Sequence, residues 1–194
     1  MSIKEDQIWK LARTLLEKGL NKDFVLHAQG VLAAVKLIAK EEGGDLEILI
    51  PAAILHDVGW AKVPNDNQKT QDKEKRAEGE KLHLIFGAEL AGDIMKNLNY
   101  SDKAAKEVAK IIKSHMDTET NDKNTKILID ADALSDVFRD NFYAESKAYG
   151  NNLESHLEIR SGNKFFTKTA REIFDRELAA RKREIEENAS QRSA

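Results

Sequence analysis

Cysteine is absent from the 194 residues. That excludes disulfides, thiolate zinc sites and cysteine nucleophiles, and it is compatible with a reducing cytoplasm. Proline is almost absent too: only Pro51 and Pro64 occur. Valine is scarce, and no Asn-Gly or Asp-Gly pair separates alternating apolar runs, so the usual marks of a β-sheet are lacking. No apolar run approaches the roughly 20 residues that a bilayer-spanning helix needs. The opening residues, MSIKEDQIWK, are charged and have no apolar signal core, so a cytoplasmic protein is expected. Net charge is only −3 and the pI about 6.0, which does not describe a dedicated nucleic-acid binder. With 41% hydrophobic residues the chain has enough apolar surface to fold rather than stay disordered.

What is abundant is Ala, Leu, Glu and Lys, and the apolar positions recur with the helical period. The chain is expected to be all-α, one helical bundle over 1–194. Its motif-bearing core spans about 20–140, with C-terminal helices at about 141–188. The periodicity predicts helices at about 3–18, 22–42, 45–58, 80–97, 102–116, 125–140, 143–157 and 165–187. The run Ile48–Leu55 (ILIPAAIL) is apolar on all sides and belongs to an enclosed helix. Pro51 inside it predicts a kink or a later start. Residues 59–79 read as a long polar loop.

Five histidines occur, and their helical positions matter more than their number. His27 shares a stripe with Val31, Ala34, Val35 and Ile38. His83 shares one with Phe86, Gly87, Leu90 and Ile94, and His115 follows Val108, Ile111 and Ile112. These imidazoles point into the core. His56 ends the enclosed helix, directly before Asp57. Any one of them could be a core histidine satisfied by a backbone carbonyl. Four pointing inward fit better around a metal, because each buried imidazole needs a polar partner. Imidazole and carboxylate suit first-row metals, and a set without thiolates suits an open catalytic site. Asp130 and Asp132 lie in an apolar stretch (KILIDADALSD), and at least one must meet a cation or strong donors. His156, among Glu154, Ser155 and Glu158, reads as a surface residue.

The ordered set of His27, His56-Asp57 and Asp132 resembles the H…HD…D signature of the HD-domain metal-dependent phosphohydrolases. The surrounding segments PAAILHDVGWAK, HLIFGAELAGDIM, EVAKIIKSH and FFTKTAREIFDREL are similar to those of its small stand-alone members. The resemblance covers roughly residues 20–180. It implies an HD-type helical bundle holding one divalent metal (Mn, Fe, Co, Ni, Zn or Mg) on His27, His56, Asp57 and Asp132. His83 and His115 match histidines that contact phosphate in some members and a second metal in others. The segment SHMDTET lacks the His-His pair and GYP motif of a two-metal branch. One metal is therefore expected, with His83 and His115 lining the phosphate pocket. Asp130 is outside the pattern.

The resemblance and the residues together predict hydrolysis of a phosphoester or phosphoanhydride of a small metabolite, a nucleotide above all, by metal-bound water. Asp57 could hold the metal and orient the water, and His115 or His83 could act as general acid. Lys62, just after the HD turn, is the candidate phosphate contact. Trp60 either covers the core or stacks on a base. Neither dedicated nucleic-acid binding nor membrane association is expected, and a homodimer is compatible with the sequence. The rival readings are a metal-containing nucleotide sensor without turnover, and a helical protein whose histidines are only structural.

Overall fold

A computed structural model of the chain describes residues 3–192, as ten α-helices and one 3-10 turn. No β-strand occurs among the described residues, and no helix there is long and apolar enough to cross a membrane. Helix α1 covers Ile3–Leu16 and α2 Phe24–Glu42. The Asp23 side chain caps α2 by accepting from Leu26 N–H, and Gly43 closes it in a left-handed conformation (φ 75°). Asp45 likewise caps α3, Leu46–Leu55. Helix α3 is the enclosed element: from Ile48 to Leu55 only Ile50 is not buried. Pro51 lies inside this helix, which starts before it rather than after it.

The 3-10 turn Val58–Lys62 and the short α4, Asn65–Gln68, follow the HD pair. Helix α5 then runs over Lys73–Asn97, starting well before the expected position near Glu80. Its first turns carry KEKRAE, good helix formers without an apolar stripe, and Asp72 caps them by accepting from Glu74 and Lys75 N–H. A period-based reading misses such a solvent-facing start. Helices α6 (Asp102–Lys113) and α7 (Lys123–Ser135) complete the core. Helix α2 packs on α3 and α7, α5 packs on α6, and α3 touches α6 and α7.

The expected helix 143–157 is two helices, α8 (Arg139–Tyr149) and α9 (Leu153–Ser161). Gly150 (φ 67°) stops the first and Asn152 caps the second. This fold-over buries His156, against expectation: its ring lies 4.8 Å from that of Phe142. Helix α10 covers Lys168–Arg192.

Asp130 anchors that last helix. Its carboxylate is fully buried and accepts from Phe166 N–H (2.8 Å), Thr167 N–H (2.7 Å) and the Thr167 hydroxyl (2.6 Å). Burial raises its pKa, outweighing the lowering effect of these donors. Asp130→Ala leaves three donors without their acceptor, at a cost of about 3 kcal/mol or more. Calorimetry is expected to show a melting temperature lower by roughly 6–12 °C, with metal content unchanged. A melting curve superimposable on wild type would contradict this role.

Candidate metal centre

Six side chains from five places in the chain converge on the core. His27 comes from the first turn of α2, His56 and Asp57 from just after α3, and His83 from α5. His115 comes from just beyond α6, which ends at Lys113, and Asp132 from α7. The four imidazoles and Asp57 are buried, and the Asp132 side chain is 27% exposed.

The ring nitrogens divide by role. His56 Nδ1–H donates to Ala53 O (2.9 Å), and His115 Nδ1–H donates to Ile112 O (2.7 Å). Each uses the carbonyl three residues earlier. The Ser135 hydroxyl donates to Asp132 O (2.9 Å), which leaves its lone pair to accept Nδ1–H of His27 (3.2 Å). His83 Nδ1 is buried and makes no hydrogen bond. With Nδ1 of His27, His56 and His115 engaged in this way, Nε2 is the nitrogen each of them has left to offer the centre.

Those nitrogens meet carboxylates. His27 Nε2 lies 3.2 Å from His56 Nε2, 2.9 Å from Asp132 Oδ1 and 3.6 Å from Asp57 Oδ2. His56 Nε2 lies 3.2 Å from Asp57 Oδ2 and 3.8 Å from Asp132 Oδ1. Four acceptor atoms this close repel one another unless a cation sits among them. Adjacent ligands at about 2.1 Å from a metal and at right angles are roughly 3.0 Å apart. His27, His56, Asp57 and Asp132 therefore fit a divalent metal in spacing and in chemistry. Burial alone would lower the His56 pKa, but Asp57 and Asp132 outweigh it and raise it to about 9. The position attracts positive charge, as a proton or as a metal. The same contacts hold the Asp57 and Asp132 carboxyls below their usual range against the raising effect of burial.

Asp57, His83 and His115 form an adjoining group that could also hold a metal. Burial lowers both histidines, His83 to about 4, so both are neutral at pH 7. Trp60 organises this side. Its indole stacks on His83 (4.5 Å, 7°) and on Phe24 (5.9 Å, 29°), and its Nε1–H donates to Asp57 Oδ1 (3.2 Å). The second oxygen of Asp57 is thus tethered rather than free. Oδ2 is the one aimed at His27 and His56.

A close backbone crossing positions the group. A Cβ on Gly59 would lie 2.0 Å from His83 O and 2.5 Å from Gly87 N. Neither atom can swing aside, so Gly59→Ala pushes the turn that carries Asp57 and Trp60 off α5. It is expected to cost about 1–3 kcal/mol and to weaken metal binding in the folded protein, measurable by thermal melting and metal titration. Wild-type values for both would exclude this crossing as a constraint.

The centre opens into a cavity of about 590 Å³. Asp57, His83, His115 and Asp132 lie on its wall, with Trp60, Lys22 and the segment Asn67–Gln71. Buried Gln68 pins that segment by donating to Trp60 O (3.0 Å) and Val63 O (2.8 Å) and accepting from Leu20 N–H (2.9 Å). The stretch read as a loop is a cavity wall. Lys62 is not on it. The 3-10 turn carries its ammonium over the Phe86 ring (5.8 Å), and the cations on the wall among the described residues are Lys22, Lys69 and Arg76. Sequence reading missed Lys22 and Tyr149, because neither belongs to an apolar stripe or a motif.

The HD domain family model matches residues 24–136. YueE of Bacillus subtilis (strain 168), named as a candidate phosphohydrolase, is 30% identical over 128 residues, 63% of this chain and 71% of its own. The 1.45 Å crystal structure of a predicted HD superfamily hydrolase from an uncultured Thermotogales bacterium has the same fold. It superposes with a TM-score of 0.64 at 23% identity, over 96% of this chain and 91% of that one. The match spans every residue of the H…HD…D set and most of the bundle around it: the chain belongs to the HD-domain family of metal-dependent phosphohydrolases.

Proposed function

We propose that this protein hydrolyses a phosphoester or phosphoanhydride of a small metabolite, a nucleotide above all, with a divalent metal on His27, His56, Asp57 and Asp132. The observation that carries the reading is the convergence of imidazole Nε2 atoms and carboxylate oxygens at 2.9–3.8 Å beside an open cavity. A divalent metal held there supplies Lewis acidity toward phosphoryl oxygens and a lowered pKa for bound water. The protein's own residues do the rest. Asp57 keeps one oxygen on Trp60 and turns the other to the centre. His115, with its proton on Nδ1, can accept a hydrogen bond or a proton from water at Nε2.

The size of the cavity suits a nucleotide-sized ligand. Its rim includes Leu20, Met116 and Tyr149, each about 36–47% exposed, which offer apolar and aromatic surface to an organic group. A second reading places another metal on Asp57, His83 and His115, favoured by their three ligand atoms within 4.8 Å of one another. Incubation of the Mn-loaded protein with a panel of nucleoside mono-, di- and triphosphates and simple sugar phosphates tests the function, and the metal-to-protein ratio counts the ions. Release of phosphate or pyrophosphate is expected. Tight nucleotide binding without release would instead make the protein a sensor.

A further inference from the structure

A metal on two imidazoles and two carboxylates brings no net charge: the two positive charges of a divalent ion are matched by Asp57 and Asp132. A phosphate monoester carries about −1.5 to −2 at pH 7. Charge to receive it must come from elsewhere on the wall. Of the three cations there, Lys69 and Arg76 are exposed, and Arg76 is already bonded to Glu80 (3.3 Å). Lys22 differs. Its side chain is 16% exposed, and it borders both the main cavity and the small one behind His27.

We propose that Lys22 is a substrate-binding residue whose ammonium takes a phosphoryl oxygen beside the metal centre. The inference rests on the phosphohydrolase reading and names a contact within it. The neighbours of Lys22 hold the ammonium in place without using up its donors. Glu145 Oε1 is 3.7 Å from Nζ, beyond hydrogen-bond reach, and the other Glu145 oxygen is taken by Arg160. Arg160 also pairs with Asp136 (3.0 Å). One guanidinium thus serves two buried carboxylates, and Lys22 supplies the balancing charge. Nζ makes no hydrogen bond among the described residues, and the Phe24 ring lies 5.8 Å away. Burial alone would lower its pKa, but Asp136, Asp57, Glu145 and Asp132 outweigh it, so the ammonium keeps its proton. A partly desolvated cation with open donors binds an oxyanion more strongly than the solvated Lys69.

The test is titration of inorganic phosphate into Mn-loaded wild type, Lys22→Met and Lys22→Arg, with metal content, melting temperature and circular dichroism on each. Lys22→Met is expected to weaken phosphate binding roughly 10- to 100-fold, the scale of one charge-assisted hydrogen bond, at unchanged metal content. Lys22→Arg is expected to stay within a few-fold of wild type. If Lys22→Met does not fold, Lys22→Gln must show the same loss. Phosphate binding by the neutral variant that equals wild type overturns the proposal and leaves the phosphohydrolase reading standing. If wild type itself neither binds phosphate nor hydrolyses any member of the panel, that reading falls, and the proposal with it.

Discussion

Chelation is expected to lower the melting temperature by roughly 5–10 °C, and Mn, Co or Ni is expected to restore it. A ligand at a hundredfold excess over its Kd stabilises the native state by about 2.7 kcal/mol. In a domain of this size each kcal/mol moves the midpoint by roughly 2–4 °C. Asp132→Ala is expected to abolish this response. Its Oδ1 is the carboxylate atom nearest His27 Nε2, at 2.9 Å, so its removal opens one side of the centre. At 27% side-chain exposure it is also the least buried of the four proposed ligands, and the fold tolerates its loss better than that of Asp57 at 8%. Loss of a ligand weakens affinity by more than the roughly 10- to 100-fold typical of outer-shell partners. Metal analysis of dialysed wild type and variant, beside the two melting curves, measures both effects. Identical curves with and without chelator would remove the metal from this account.

His115→Ala is expected to lower turnover by about 10²–10⁴, the usual scale for a positioned acid or base. The side chain is buried on the cavity wall, with Nδ1 committed to Ile112 O and Nε2 left for the reacting groups. It stands edge-on to both His56 (5.2 Å) and His83 (5.4 Å), and it belongs to two of the groups that could hold an ion, with His56 and Asp132 and with Asp57 and His83. Metal content tells the roles apart. One metal retained with slow turnover makes His115 a water or phosphate contact. A metal-to-protein ratio falling by one makes it a ligand of a second ion. A lower melting temperature with normal turnover of the folded fraction would make it a core histidine and take it out of the chemistry.

Most of the converging side chains were legible because the signals that place them are local. Helical periodicity places His27, His83 and His115 on inward faces, and an apolar helix followed by His56-Asp57 delivers both to its buried end; Asp132 stood out from Asp130 only through the H…HD…D resemblance. Trp60 was legible only by half. Its place in the core follows from its neighbours, but its bond to Asp57 and its stack on His83 need α5 to cross the HD turn at Gly59. Lys62 and His156 went the other way. A charge next to a motif looks close to the site, yet the 3-10 turn points Lys62 at Phe86. Charged neighbours made His156 look exposed, yet α9 folds it against Phe142.

Helicity, the inward faces of the helices and the residues on them with metal-binding chemistry can all be read along the chain. Each of these depends on the period of one helix or on the chemistry of one side chain. Helix packing sets which nitrogen of His27 faces the centre, since the partner that takes its Nδ1 proton is Ser135 on another helix. It also decided that Asp130 anchors α10 rather than binding metal, and that Lys22 rather than Lys62 reaches the cavity. These are contacts between residues far apart in the chain, set by how the helices pack, and no local pattern encodes them.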